Sequence, residues 1–176
     1  LHDQTNADMP DNTQYRQDEI RKGANDDELI LEFINVTSAK NAVPFLSARE
    51  AHSIAIAEHS TAESKIGEVK QDLKEQEERQ AGVRNWHFGP TDSQSTTQLG
   101  GLAIGVRSRV AIPIAPTTDA YRSAIQRGRA GIYLIALNQQ ITIYIAIIYG
   151  KSGGHQDKRA AKITDDIVTA VYHELR

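Results

Sequence analysis

The sequence predicts a layered α/β or α+β protein, because short apolar strands alternate with helices at the start and a run of strands follows. The 176 residues suffice for one domain with a single core. Hydrophobic residues make up 39% of the chain and charged residues 24%, which excludes a disordered chain or a coiled coil. The absence of cysteine excludes disulfides, zinc–thiolate sites and thiol nucleophiles.

Residues 1–28 differ in composition from the rest of the chain. They hold eight acidic side chains against three basic ones, a net charge of −5, and lack apolar periodicity. We expect them to form a flexible acidic leader, with residues 29–176 as the ordered part. The net charge of −3 gives no whole-chain signature of nucleic-acid binding, yet it permits a nucleic-acid substrate held by local groups and a metal.

The ordered part begins with two predicted strands. Residues 29–36 and 53–58 are apolar runs of the kind that form buried strands. A short helix is predicted over residues 39–51, with Pro44 near its first turn, where a missing N–H costs little.

A longer helix is predicted after the second strand. Residues 60–63, Ser-Thr-Ala-Glu, have the spacing of a capping box, and the helix is expected to reach about Ala81 before Gly82 stops it. Its predicted buried face consists of Ile66, Val69 and Leu73.

The second half is rich in strands, which are predicted over residues 84–89, 100–106, 110–115, 129–137 and 141–150. Residues 138–140 predict a tight hairpin between the last two, which are apolar on both faces and therefore predict a sheet covered on both sides. One or two helical turns are predicted over 118–126. An amphipathic helix is predicted over 157–175, with a buried stripe of Ile163, Ile167, Ala170, Val171 and Leu175.

Polar residues follow three of the predicted strands directly. Asn35 ends the first, Glu58 and then His59 end the second, and Tyr149 ends the last. Ligands gather at strand ends in layered α/β proteins. A carboxylate at the edge of a core favours a hard cation such as Mg²⁺ as its partner. The alternative is that Glu58 faces solvent in a strand-to-helix loop.

Several basic and aromatic side chains are weaker candidates for binding. In the loop after Tyr149, Lys151 and His155 could bind the charge of a phosphate, although the loop lacks Walker A spacing. The alternative is a plain loop that leads to Asp157 as the N-cap of the last helix. Four arginines could line a phosphate-facing surface or lie solvated in loops. Two aromatic residues could stack on bases, although the tryptophan is more typical of a core. These six residues are Arg107, Arg109, Arg127, Arg129, Trp86 and Tyr121.

Taken in order, four stretches resemble the amino-terminal half of an endonuclease/exonuclease/phosphatase superfamily domain. The resemblance is greatest to the apurinic-endonuclease-like domains that accompany retrotransposon reverse transcriptases. It is carried by INVTS with Asn35, IAIAEHST with Glu58, GGLAIGVRS, and IYIAIIYGKSGGHQD with Tyr149.

The resemblance implies half of a four-layer α/β sandwich, with mixed, mostly antiparallel sheets and outer helices. It also implies phosphodiester cleavage that depends on Mg²⁺ (or Mn²⁺), with DNA as the substrate. Glu58 would bind the metal, Asn35 would lie beside it and help to hold the metal–phosphate site, and Tyr149 would contact the scissile phosphate. Oxygen ligands without cysteine suit these cations rather than zinc.

The sequence departs from the family pattern in three ways. Ala57 stands where the family usually has glutamine, and Ile147-Ile148 stands where an asparagine usually precedes the tyrosine. The later Asp-x-Asn and Asp-His motifs are missing, since Asp165, Asp166 and His173 lie on the predicted final helix. We therefore expect this chain to be part of a longer one and to be inactive alone. The alternatives are a non-catalytic remnant or interaction fragment, and a lipid or inositol phosphate phosphatase of the same superfamily.

Overall fold

The computed structural model describes residues 30–80, 82–92, 100–137, 140–151 and 157–176. The predicted leader, most of the polar loop before residue 100, part of the hairpin connection, Ala81 and His155 lie outside the described residues.

The described residues form four layers, in which two sheets pack face to face and helices cover the outer side of each sheet. The four-stranded sheet has the order β1-β2-β4-β3, with β1 parallel to β2 and the other pairs antiparallel. The three-stranded sheet has the order β5-β6-β7 and is antiparallel throughout. This confirms the predicted α/β class with mixed, mostly antiparallel sheets and outer helices.

The seven strands are β1 Leu31–Asn35, β2 Ser53–Ala57, β3 Arg84–Phe88, β4 Leu102–Arg107, β5 Ala111–Pro113, β6 Ala130–Ala136 and β7 Thr142–Ile148. The four described helices are α1 Ala39–Ser47, α2 Glu63–Glu78, α3 Asp119–Gln126 and α4 Lys158–Glu174. None of these helices is long and apolar enough to cross a membrane.

Three apolar clusters hold the layers together. The first lies between the larger sheet and helices α1 and α2, and it includes the predicted face of Val69 and Leu73. The second lies between the two sheets, where Ile104 of β4 and Ile135 of β6 are both fully buried. The third lies between the smaller sheet and helices α3 and α4. Each internal face of the sandwich therefore has its own core.

The edge strands β1 and β7 are less covered than the sequence predicts. Leu31 and Phe33 of β1 are 43% and 56% exposed, and Tyr144 of β7 is 60% exposed. The prediction of a buried first strand is wrong, whereas the predicted cover on both sides of the smaller sheet holds for β6 and is incomplete at β7. The smaller sheet contacts β3 and β4 through β5, at the edge of the larger sheet away from β1. An apolar run does not reveal whether its sheet position has a covering neighbour.

The helix ends also differ from the prediction. Pro44 lies inside α1, as its sixth residue, rather than near its first turn. The predicted capping box is wrong: Ala62 is the N-cap of α2 and provides no side-chain hydrogen bond. The hydroxyls of Ser60 and Thr61 instead donate to the carbonyl oxygens of Glu58 and His59, so they stabilise the turn after β2. At the end of α4, Leu175 is 49% exposed, so its prediction as part of the buried stripe is wrong.

A buried ion pair connects α2 to β3. Glu77 and Arg84 are fully buried, with 2.7 Å between Oε1 and the guanidinium nitrogen. The second carboxylate oxygen accepts the Arg84 backbone N–H at 2.8 Å, and Trp86 Nε1 donates to the first at 3.2 Å. Arg84 also donates to the carbonyl of Ala51 at 2.8 Å, in the loop before β2. Helix, strand and loop therefore meet on one charged network.

We predict that Glu77→Gln destabilises the protein by about 3–5 kcal/mol, because it leaves the buried Arg84 guanidinium without its counter-charge. Urea denaturation followed by circular dichroism measures the change. The matched control is Glu78→Gln on the next residue, whose carboxylate forms an exposed pair with Lys74 and should contribute less than about 1 kcal/mol. Equal losses in the two variants would contradict this role for the buried pair.

Candidate functional site

Backbone hydrogen bonds bring the ends of five strands together at one end of the sandwich. We call this region, residues 35–36, 57–61, 100–102, 128–130 and 149, the strand-end junction. Its donor–acceptor pairs are Val36 to Ala57 at 2.9 Å, His59 to Gly101 at 3.2 Å, Ser60 to Gly100 at 2.9 Å, Gly101 to Gly128 at 3.2 Å, and Tyr149 to Arg129 at 2.8 Å. The junction therefore crosses from the larger sheet to the smaller one.

Glu58 lies in the turn that follows β2. Its backbone is left-handed, with φ of 59°, and Ser60 is left-handed as well, with φ of 44°. This conformation costs a non-glycine residue about 1–3 kcal/mol and is kept where surrounding contacts enforce it, often at functional sites. Here the bonds from His59 and Ser60 to the Gly100-Gly101 backbone provide that enforcement. The half-buried Glu58 is thus held at a fixed position just beyond β2.

Asn35 lies beside Glu58 across the sheet. It is the last residue of β1 and pairs with Ala57, which immediately precedes Glu58. The structure therefore places the two predicted metal-site residues at adjacent strand ends. Among the described residues, no group of three or more His, Asp or Glu side chains could hold a metal ion. One carboxylate and one amide oxygen fit a hard cation that keeps several waters, as Mg²⁺ usually does.

Tyr149 approaches the junction from the smaller sheet, directly after β7. Its side chain packs against the core between the sheets. The guanidinium carbon of Arg129 lies 5.0 Å from the centre of the Tyr149 ring, a cation–π contact. Arg129 therefore joins Tyr149 through both its backbone and its side chain, a link that sequence spacing alone does not show.

The His59 side chain holds the turn after β2 in place through hydrogen bonds to Thr61 and Gly89. Its Nδ1 accepts the Thr61 backbone N–H at 3.1 Å, so the proton is on Nε2, which donates to the carbonyl of Gly89 at 3.0 Å. Burial lowers the pKa of His59, although the bond to Gly89 partly opposes this. Since both ring nitrogens are occupied and the ring lies edge-on to Phe88, His59 positions the turn that carries Glu58.

The predicted arginines divide between the two ends of the sandwich. Arg107 and Arg109 donate to backbone carbonyls at the end remote from the junction. Arg127 and Arg129 instead line a cavity of about 330 Å³ together with Lys151.

The other predicted candidates lie inside the core or exposed on α4. Trp86 is buried in the first cluster, as predicted. Tyr121 is fully buried, with its hydroxyl accepting the Ile132 N–H, so its ring is not available to stack on a base. Asp165 and His173 lie exposed on α4. No family model matches this sequence, and no curated protein matches it.

We predict that Gly101→Ala destabilises the protein by about 2–4 kcal/mol, because φ is +86° and the new methyl carbon would lie 2.3 Å from His59 Nε2. Thermal or urea unfolding measures the change. Gly67→Ala is the matched control, since Gly67 lies within α2 with no atom near the added carbon and alanine there should stabilise by about 0.5–1 kcal/mol. A Gly101→Ala protein as stable as wild type would contradict the close approach.

We also predict that stability falls as the pH drops below about 6.5. The unfolded His59 takes up a proton near that pH, while the folded side chain, with its lowered pKa, resists protonation until the pH is lower. The free energy of unfolding should fall by at most about 1.4 kcal/mol per pH unit for this group. Burial lowers the pKa of His87 too, so His87→Gln should remove only its own share of the slope. An unchanged slope in His59→Gln would contradict the assignment.

Proposed function

We propose that this chain forms the metal-binding and phosphate-binding part of a phosphodiesterase that depends on Mg²⁺ or Mn²⁺ and cleaves DNA as part of a longer chain. The observation that supports this most strongly is the meeting of Asn35, Glu58 and Tyr149 at one junction. Asn35 and Glu58 lie at the ends of neighbouring strands of the larger sheet, and Tyr149 follows the last strand of the smaller sheet. They are also the residues that carry the family resemblance.

The residues at the junction suit distinct roles toward a phosphodiester. Glu58 would hold the cation, with Asn35 beside it at the next strand end. The cation, when bound, supplies Lewis-acid stabilisation of charge on phosphate and leaving-group oxygens. The Tyr149 hydroxyl would donate a hydrogen bond to the phosphate, and Arg129 orients its ring and adds positive charge nearby.

The proton-transfer step would fall to residues of the longer chain other than those at the junction. Both nitrogens of His59, the histidine beside Glu58, are committed to structural hydrogen bonds. Asp165 and His173 lie exposed on α4 rather than at a strand end. A hydrolase needs a group that activates water and further donors to the phosphate, and these normally supply a large part of the rate enhancement. The missing Asp-x-Asn and Asp-His motifs are the family's residues for this step.

The metal site can be tested by Mn²⁺ binding to the purified 176-residue chain, followed by electron paramagnetic resonance. We expect a dissociation constant in the millimolar range, equivalent to about 4 kcal/mol, because one carboxylate holds the ion. Glu58→Gln should abolish binding and Asn35→Ala should weaken it less. Asp165→Asn is the control and should bind as wild type. Binding that survives in Glu58→Gln would contradict the proposed site.

Plasmid nicking tests the activity. The 176-residue chain should nick supercoiled DNA at background rate in Mg²⁺, and extension of the expressed segment into the downstream coding sequence should produce nicking. Glu58→Gln in the extended protein should remove that activity. Strong Mg²⁺-dependent nicking by the 176-residue chain itself would contradict the assignment of proton transfer to another segment. An extended protein that binds Mn²⁺ but never nicks DNA would favour the non-catalytic alternative.

A further inference from the structure

A cavity of about 330 Å³ lies between α3 and α4 on the outer side of the smaller sheet. Its volume falls at the lower end of the range of small-ligand pockets. The carboxylate of Glu174, near the end of α4, accepts hydrogen bonds from the backbone N–H and hydroxyl of Thr118, the N-cap of α3. The two helices that form the walls are therefore fixed relative to each other.

The cavity combines an apolar floor with a charged rim. Ala124 and Ile167, both buried, and the half-buried Ile163 form the floor. The cations on the rim are Arg127, Arg129 and Lys151, and the carboxylates are Asp92 and Asp166. Among the described residues, the side chains of Arg127 and Lys151 form no hydrogen bond or ion pair. Asp166, by contrast, pairs with Lys162 at 3.0 Å.

This combination favours a ligand with one compact anionic group and one part that can cover the apolar floor. Arg127 and Lys151 can donate charge-assisted hydrogen bonds to a phosphate. The two carboxylates disfavour a second phosphate group inside the cavity by repulsion, and the apolar floor makes no favourable contact with an inorganic ion. A nucleotide has the required two parts, since its base can cover the floor while its phosphate meets the rim.

The cavity shares a residue with the strand-end junction. Arg129 lines the cavity, and its guanidinium also lies over the Tyr149 ring. Lys151 follows Tyr149 by two residues, and its backbone N–H donates to Thr164 of α4 at 3.0 Å. A nucleotide in the cavity would therefore be adjacent to a phosphate held at Tyr149.

We infer that this cavity binds a nucleotide of the nucleic-acid strand, next to the phosphodiester held at the junction. The inference rests on the proposed function for the identity of the strand, but the cavity itself is tested without cleavage or metal. The same chemistry would accept a free mononucleotide, and the experiment distinguishes the two sources.

Isothermal titration calorimetry in the presence of EDTA tests the cavity with dAMP, deoxyadenosine and inorganic phosphate. We expect dAMP to bind at least about tenfold more tightly than either of its parts, since both floor and rim contribute. Arg127→Gln should weaken dAMP binding about tenfold by removing a charged contact. Ala120→Leu should weaken it as well, because Ala120 is an exposed lining residue of α3 whose enlargement fills the cavity without disturbing a core.

Arg122→Gln is the matched control, because Arg122 lies on the same helix, is paired with Asp119 and does not line the cavity. It should change binding less than twofold. Phosphate that binds as tightly as dAMP, or equal effects of Arg122→Gln and Arg127→Gln, would overturn the inference. Glu58→Gln should bind dAMP as wild type, so failure at the metal site and failure at the cavity are separate results.

Competition identifies the source of the nucleotide. A single-stranded oligodeoxyadenylate should displace dAMP from the wild-type protein and lose affinity in Arg127→Gln. Its affinity should also depend less steeply on salt in that variant, because one phosphate contact is lost. If dAMP binds in the cavity but the oligonucleotide does not displace it, the assignment to a nucleic-acid strand is overturned in favour of a free nucleotide.

Discussion

A neutral imidazole holds together the end of the sandwich on which the candidate site depends. His59 accepts a hydrogen bond from the turn after β2 and donates one to the end of β3. The bare Cα of Gly101 lies against its ring, where a methyl group would overlap with Nε2. Gly101 in turn bonds to Gly128, at the start of the smaller sheet. Because this contact sets the turn after β2, it also sets the position of Glu58.

The opposite end of the larger sheet is stabilised by charge. There the buried pair of Glu77 and Arg84 binds the α2–β3 connection, and Arg107 donates to the carbonyls of Glu50 and Arg49 at 2.7 Å. The guanidinium groups of Arg84 and Arg107 are therefore engaged by the Glu77 carboxylate and by backbone carbonyls. At the junction end, the Arg129 guanidinium donates one long hydrogen bond, 3.4 Å, to the carbonyl of Gly150 and lies over the Tyr149 ring. Arg127 and Arg129 at the junction end are therefore better placed to meet a ligand than Arg84 and Arg107.

Much of the secondary structure could be predicted from the sequence, because apolar periodicity and turn residues are local signals. The seven strands and the helices over 118–126 and 157–175 follow from such signals. How far each strand is buried by its neighbours could not be predicted in this way. Phe33 is exposed because β1 is an edge strand, and the sheet order decides which strands lie at an edge. The capping box failed for a related reason, since the hydroxyls of Ser60 and Thr61 stabilise the turn that carries Glu58.

The candidate site was predictable only in part. Strand-end position identified Asn35, Glu58 and Tyr149, because strands of a sheet bring their ends to common edges. The partners of these residues were not predictable, since they depend on how two sheets pack. Arg129 precedes β6 and Tyr149 follows β7, so only the antiparallel pairing of Ala130 with Ile148 places them side by side.

The same pairing explains why the proposed phosphate site at Tyr149 and the proposed nucleotide cavity share one residue, Arg129. The carbonyl of Arg129 accepts the Tyr149 N–H, and its side chain lies between the Tyr149 ring and the cavity. An arginine in this position has two sides, one toward the junction and one toward the cavity between the outer helices. Its delocalised charge suits both an aromatic face and a phosphate. The same side chain therefore belongs to both regions, and a ligand that contacts Arg129 from the cavity would lie next to the residue that packs on the Tyr149 ring.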